Sequence, residues 1–231
     1  MPNGNMQNNN QLLLDTFSKQ LGYSFTQPAL LREALTHRSH SASHNERLEF
    51  LGDAVLELVV TEYLYHHYPN PEGELTSWRA ALVNGEMLSR VGGELGIEPF
   101  LLMSRGEAKD TGRSRQYLVA NAMEAIIGAL SLDQGYEAAK EFILRVIVKH
   151  LPEVFENKLY ADPKSQFQEE SQTRFGITPS YRVLGESGPD HDKQFIAGAY
   201  LGEELIAEGT GNSKQEAQRS AAKNALEKKG W

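Results

Sequence analysis

The sequence predicts two domains of different class: an all-α domain over residues 11–156 and an α+β domain of order α-β-β-β-α over 163–231, joined by a linker at 157–162. Three observations predict this. Apolar residues recur at helical spacing from Leu12 to Leu151. A polar connection, Asn157–Pro163, then interrupts the pattern. Beyond it, three short β-rich runs split by turn residues lie between two helical stretches. No internal repeat is present. Residues 1–10 are polar and asparagine-rich, with neither a basic start nor an apolar core, so they read as a disordered lead and not as a signal peptide.

The first domain reads as follows. Leu12–Leu21 is a short helix with Leu13, Phe17 and Leu21 four apart, closed by Gly22. Thr26-Gln-Pro28 caps a helix that runs to about Thr36. A polar loop rich in histidine, His37–His44, leads to Asn45, which can cap the next helix. That helix is long and ends near Tyr68, before Pro69-Asn-Pro71. His66 and His67 at its C-terminus suit the helix dipole. Leu75–Leu88 is a further helix, with Gly92-Gly93 and Gly96 breaking the pattern after it. Ser104–Arg115 reads as a loop, Leu118–Leu132 as a helix, and Tyr136–Leu151 as a last helix stopped by Pro152.

In the second domain Lys164–Phe175 is helical, and Ser180–Glu186, Lys193–Leu201 and Glu204–Gly209 are strands. Ser213-Lys-Gln-Glu216 is a capping box that opens a helix to about Lys229. Its alanines, Ala217, Ala221, Ala222 and Ala225, let it lie close on a sheet.

Composition bounds the function. At 231 residues, 40% hydrophobic and 23% charged, this is an ordinary soluble protein. Its apolar runs fall far short of the roughly 20 residues of a membrane span, so no membrane partner is expected. There is no cysteine. Disulfides, thiolate zinc sites and a cysteine nucleophile are excluded, and a cytoplasmic location is compatible. The net charge of −8 argues against a general nucleic-acid coat protein. Between Pro163 and Trp231 there are nine Lys/Arg against ten Asp/Glu. Binding to nucleic acid must therefore be local or assisted by metal ions.

Glu46, Glu49 and Asp53 stand at i, i+3 and i+7 of the long helix, within roughly one sixth of its circumference. Leu48, Leu51, Ala54, Val55, Leu58 and Val59 cover the opposite side. Like charges at this spacing weaken a helix by roughly 0.2–0.5 kcal/mol per pair. A cation would remove that repulsion, and Mg²⁺ takes carboxylate oxygens while keeping waters for a phosphate-bearing substrate. Asn121 and Glu124 lie three apart on a second helix, and two helices of a bundle can share ions between inward polar residues. Two readings stay open from spacing alone: a phosphodiester-cleaving metal site or two solvated polar faces. His37, His40 and His44 have zinc-like spacing but no cysteine partner, and read as unligated. No Ser-His-Asp arrangement or phosphate-cradling glycine loop can be argued.

Ser165, Gln168, Glu169 and Gln172 form a polar stripe on the first helix of the second domain. Such side chains suit the 2′-hydroxyls of the RNA minor groove, although a solvated face is an equal reading. Lys214, at the start of the last helix with Arg219 and Lys223 beyond it, suits a phosphate.

Asn45-Glu-Arg-Leu-Glu-Phe-Leu-Gly-Asp53 resembles the nine-residue motif of ribonuclease III, with supporting matches at Ala34-Leu-Thr-His-Arg-Ser39, Glu72-Gly73 and Met123-Glu-Ala-Ile-Ile-Gly-Ala129. The segment from Asp162-Pro-Lys-Ser-Gln-Phe-Gln-Glu169 to Ala225-Leu226 resembles a double-stranded-RNA-binding domain. The resemblance implies an all-α ribonuclease III endonuclease domain followed by that binding domain. It implies a homodimeric, Mg²⁺-dependent endonuclease that leaves 5′-phosphate and 3′-hydroxyl ends on double-stranded RNA. Processing or decay of rRNA, mRNA and tRNA precursors is the implied setting. No small-molecule cofactor is implied, and Mn²⁺ is a possible substitute for Mg²⁺. By position, Glu49, Asn121 and Glu124 occupy metal-ligand places and Asp53 and Glu124 catalytic ones. Glu46 and Glu72 match supporting acidic positions, and Phe50 an aromatic that inserts into the partner subunit. Ser165, Gln168, Glu169 and Gln172 match the helix that reads the minor groove, His191 a loop that enters the next groove, and Lys214 a phosphate clamp.

Two departures are visible. The family usually has aspartate where this chain has Asn121, which predicts lowered metal affinity and leaves an alternative: a dimeric, double-stranded-RNA-binding or ribosome-associated protein with weakened or lost cleavage. Gln215 and Gln218 stand where lysines are frequent, which predicts a shallow salt dependence of RNA binding.

Overall fold

The computed structural model describes residues 14–109, 111–160, 162–189 and 193–231. The chain divides into two compact units, Met1–Tyr160 and Ala161–Trp231, each with its own apolar core. The polar lead, the start of the first helix and His191 lie outside the described residues.

In the first unit, helix α1, described over 14–21, buries Phe17 and Leu21 and turns at Gly22, whose φ of +82° suits glycine. Helix α2 (Pro28–Ala34) is not capped by Thr26. The backbone N–H groups of Thr26 and Gln27 instead donate to the carboxylate of Asp133, at 2.9 and 2.8 Å. Helix α3 (Glu46–His67) is about 33 Å long by its rise per residue. Asn45 makes no side-chain cap; its backbone is already helical, and its carbonyl accepts the N–H of Glu49 at 2.8 Å. The buried face of α3 is rotated from the expected one. Leu48, Val55, Leu56, Val59, Val60 and Leu64 are buried, whereas Ala54 and Leu58 are exposed and Leu51 is half-buried.

The helix expected over Leu75–Leu88 is two helices, α4 (Glu72–Val83) and α5 (Gly85–Glu94). Asn84 between them is extended, and its side-chain oxygen caps α5 by accepting the N–H of Met87 at 2.9 Å. Gly92 and Gly93 do not break α5. A Cβ on Gly92 would sit 2.4 Å from Cγ1 of Val119, so this glycine is a packing surface.

Helix α6 (Arg113–Gln134) starts inside the expected loop and is the centre of the unit, packed on α2, α3, α5 and α7 (Tyr136–Val146). Ala122, Met123, Ala125, Ile126, Ile127, Ala129 and Leu130 are all buried, so α6 is apolar almost all round. Helix α7 ends earlier than expected. Pro152 lies in the first turn of α8 (Leu151–Glu156), where a missing N–H costs nothing, so it starts a helix instead of stopping one. Among the described residues no helix is long and apolar enough to cross a membrane.

In the second unit, α9 (Pro163–Phe175) is followed by β1 (Ser180–Ser187), β2 (Gln194–Leu201), β3 (Glu204–Gly211) and α10 (Lys214–Lys229). The strands form an antiparallel sheet in the order β1-β2-β3. A Cβ on Gly209 would meet the backbone nitrogen of Ala221 at 2.1 Å, so α10 lies directly on β3. Phe167, Ala199, Ile206 and the alanines of α10 fill the core. The capping box closes one residue upstream of its usual place. Ser213 Oγ accepts the N–H of Glu216, but the Glu216 carboxylate takes the N–H of Asn212, at 2.8 Å.

Candidate active site

Helices α3 and α6 touch backbone to backbone at Gly52 and Gly128. A Cβ on Gly52 would lie 1.8 Å from the carbonyl oxygen of Glu124, and one on Gly128 would lie 2.2 Å from the carbonyl oxygen of Leu48. Any larger residue at either place would hold the helices apart. The contact sets Glu124 beside the turn of α3 that carries Glu49 and Asp53.

The electrostatics report that proximity. Burial pushes the Glu124 carboxyl up to about 7, and the charges of Asp53 and then Glu49 add to the rise. Glu49 is also raised, by burial first and then by Glu46 and Asp53. Asn121 lies one turn before Glu124 on α6 and is half-buried. The structure thus brings Glu49, Asp53 and Glu124 together from two helices, with Glu46 at the margin. Among the described residues no three carboxylates or imidazoles close tightly enough to hold an ion as they stand. The donor chemistry nevertheless fits a hard divalent cation, because oxygen ligands suit it and its charge would relieve the repulsion that raises Glu49 and Glu124.

Glu46 is exposed, 3.4 Å from Arg38 and 3.9 Å from His44. Glu72 does not join this group within one chain. It accepts from Thr76 at 2.9 Å and lines a recess of about 700 Å³ with Tyr65, Tyr68, Leu75 and Arg79, roughly three to four turns along the chain from Asp53. Phe50 is 80% exposed, and Leu58 and Tyr65 further along α3 are 51% and 73% exposed. Helix α3 therefore has three faces: one buried, one acidic and one apolar but open. His37 pairs with Ser39 while His44 faces Glu46, so these two histidines have separate partners.

In the second unit Ser165, Gln168, Glu169 and Gln172 are all exposed on α9. The Ser165 hydroxyl donates to its cap, Asp162, at 2.8 Å, and Gln172 donates to Thr178 at 3.2 Å. Lys214 is exposed, with its Nζ 6.0 Å from the ring centre of Phe195. Gln218 is committed to structure, accepting from Lys164 at 3.0 Å. His191 falls outside the described residues.

Gly52 and Gly128 are functional positions that side-chain chemistry alone misses. A signal was present: a glycine inside a helix costs about 1 kcal/mol relative to alanine. Two of them, each within about one turn of a candidate carboxylate, call for a packing reason.

A family model described as "Ribonuclease-III-like" matches residues 27–151, and one described as "Double-stranded RNA binding motif" matches residues 163–229. The chain is 46% identical over 215 residues to "Ribonuclease 3" of a Nitratiruptor species, covering 92% of this chain and 95% of the relative. It is 43% identical to "Ribonuclease 3" of Campylobacter jejuni subsp. jejuni, covering 94% and 98%. The solved nuclease domain of ribonuclease III from Campylobacter jejuni, described for structural flexibility in a region involved in dimer formation, aligns with a TM-score of 0.56. That alignment is 46% identical and covers 59% of this chain and 96% of the domain.

Proposed function

The chain belongs to the ribonuclease III family, and we propose that it cuts double-stranded RNA at Glu49, Asp53, Asn121 and Glu124 with bound Mg²⁺. The observation that carries this reading is the Gly52–Gly128 crossing, which gathers carboxylates from two helices and leaves Glu124 titrating near neutrality. Glu49, Glu124 and Asn121 would hold the cation. When bound, it would lower the pKa of a water and stabilise the departing oxygen. Glu124 would accept a proton from the attacking water and pass it to the departing O3′ as the P–O3′ bond breaks, which leaves a 5′-phosphate and a 3′-hydroxyl. Asp53, exposed at the same turn, orients the water. Mn²⁺ is a workable substitute, because Asn121 supplies an oxygen without a charge.

The open apolar face of α3 supports a homodimer. A two-fold axis near Leu58 would lay this face against its copy in antiparallel fashion, seating Phe50 of one copy near the Tyr65 end of the other. The recess that holds Glu72 would then flank the partner's acidic turn, which is how Glu72 supports the site. The exposed stripe on α9 and Lys214 would hold the duplex by shape, through 2′-hydroxyls and phosphates.

Incubating long duplex RNA with the protein and Mg²⁺ tests the reading, with Glu124→Ala as control. Short duplexes with 5′-phosphates are expected from the wild type only. Intact duplex from both would leave the protein a binder that does not cut.

A further inference from the structure

The loop between α2 and α3 holds Arg38 and three histidines, His37, His40 and His44, with no acidic residue between Glu33 and Glu46. In a chain of net charge −8, this stretch free of carboxylates carries the fixed charge of Arg38 and ends where the acidic face of α3 begins. The loop is tied on both sides of Arg38. His37 donates its backbone N–H to Leu102, which donates in turn to Leu35, both at 2.8 Å. Asn45 donates to the carbonyl of Thr36 at 2.9 Å. Ser39 Oγ accepts the N–H of Ser104 at 3.0 Å and sends its own hydrogen to Nδ1 of His37, 2.9 Å away.

Arg38 itself has little to do in this fold. Its side chain is 70% exposed, and its one ion pair among the described residues, to Glu46, is 3.4 Å long. Charge-assisted bonds are normally near 2.7–2.9 Å, and an exposed ion pair contributes little to stability. A firmly held backbone that presents an exposed, loosely paired guanidinium fork is arranged for an external anion. The fork matches two oxygens of a phosphate. Glu46 begins α3 one turn before Glu49, so the anion would sit beside the cutting site.

We propose that Arg38, on its pinned loop, is a phosphate contact that seats the RNA strand next to the scissile position, exchanging its loose pairing with Glu46 for a phosphate oxygen. This rests on reading the first unit as the cutting unit. Arg38 acts here as a positioning residue, and its loss removes no contact to Glu49, Asp53 or Glu124.

The test uses the full chain and a duplex RNA of defined sequence, comparing wild type, Arg38→Ala and Arg38→Lys. Binding is measured across a series of salt concentrations in Ca²⁺, and cleavage kinetics in Mg²⁺. Losing one phosphate contact should flatten the log–log salt slope by about 0.7–0.9. KM should rise about tenfold with kcat within twofold. Arg38→Lys should restore the slope, because the charge remains, and only part of the KM, because the fork is lost. A wild type that cuts while Arg38→Ala keeps the parental slope and KM overturns the contact alone. A wild type that binds duplex without cutting overturns the cutting reading, and the slopes still decide the contact.

Discussion

Replacing Gly52 by alanine should damage both the fold and the site through a single methyl group. The added Cβ would stand 1.8 Å from the Glu124 carbonyl oxygen, 2.6 Å from its carbon and 2.9 Å from the Gly128 nitrogen. All three are backbone atoms, so no side chain can swing away. Reaching ordinary contact requires α3 and α6 to separate by roughly 1.5 Å at their crossing. Overpacking of this kind costs about 1–3 kcal/mol and occasionally more, against a helix-propensity gain of about 1 kcal/mol. A net loss of up to about 2 kcal/mol lowers Tm by up to about 4–8 °C in a protein of this size. The same opening moves Glu124 away from Glu49 and Asp53, and a displacement of about 1 Å at a reacting centre can cost about 100-fold in rate. Gly93→Ala is the matched control, since nothing lies within 4 Å of its added Cβ. It should hold or raise Tm and leave cleavage unchanged. Thermal unfolding by circular dichroism and initial cleavage rates at 25 °C decide the matter. A Gly52→Ala protein as stable and as fast as the parent would refute the crossing as the organiser of the site.

Three further outcomes follow from the same geometry. Phe50→Ala should shift the protein toward monomer in light scattering, with cleavage falling in step; an unchanged mass would remove Phe50 from the interface. In chelator, the stability of the wild type relative to Glu124→Gln should fall as pH rises from about 4.5 to about 7. The folded protein holds the Glu124 proton over that window and the unfolded chain does not. Glu49, also raised, acts in the same direction, whereas the lowered carboxylates Asp133 and Glu94 act as pH falls below the ordinary carboxylate range. A difference in Tm that is flat across this window would contradict the burial of Glu124. Asn121→Asp should reach half-maximal cleavage at several-fold lower Mg²⁺, and superimposable Mg²⁺ titrations would show that the amide costs nothing.

Much of this is legible in the residues. The two fold classes follow from helical spacing before Asn157 and strand-and-turn runs after Pro163. The acidic turn of α3 stands out because Glu46, Glu49 and Asp53 share a face. What is not legible depends on partners distant in sequence. The buried face of α3 is set by α6 crossing at Gly52, so Ala54 and Leu58 face outward although their spacing suits a core. The N-terminus of α2 is capped by Asp133, more than a hundred residues away, which a local cap at Thr26 cannot anticipate. The break at Asn84 escapes the periodicity because the flanking apolar pattern continues through it, and only the extended backbone of that residue divides α4 from α5. Pro152 suggests a stop because proline ends helices more visibly than it begins them.

The central claim is that Glu49, Asn121 and Glu124 hold one cation across two helices, with the Asp53 carboxylate beside it. Calorimetric titration of Mg²⁺ into the full-length protein at pH 7, in two buffers of different ionisation enthalpy, tests it most directly. With Glu124 titrating at about 7, binding should release about half a proton per chain. Both the binding and the release should vanish when the three carboxylates are replaced by their amides. An unchanged isotherm in that triple variant would contradict the account.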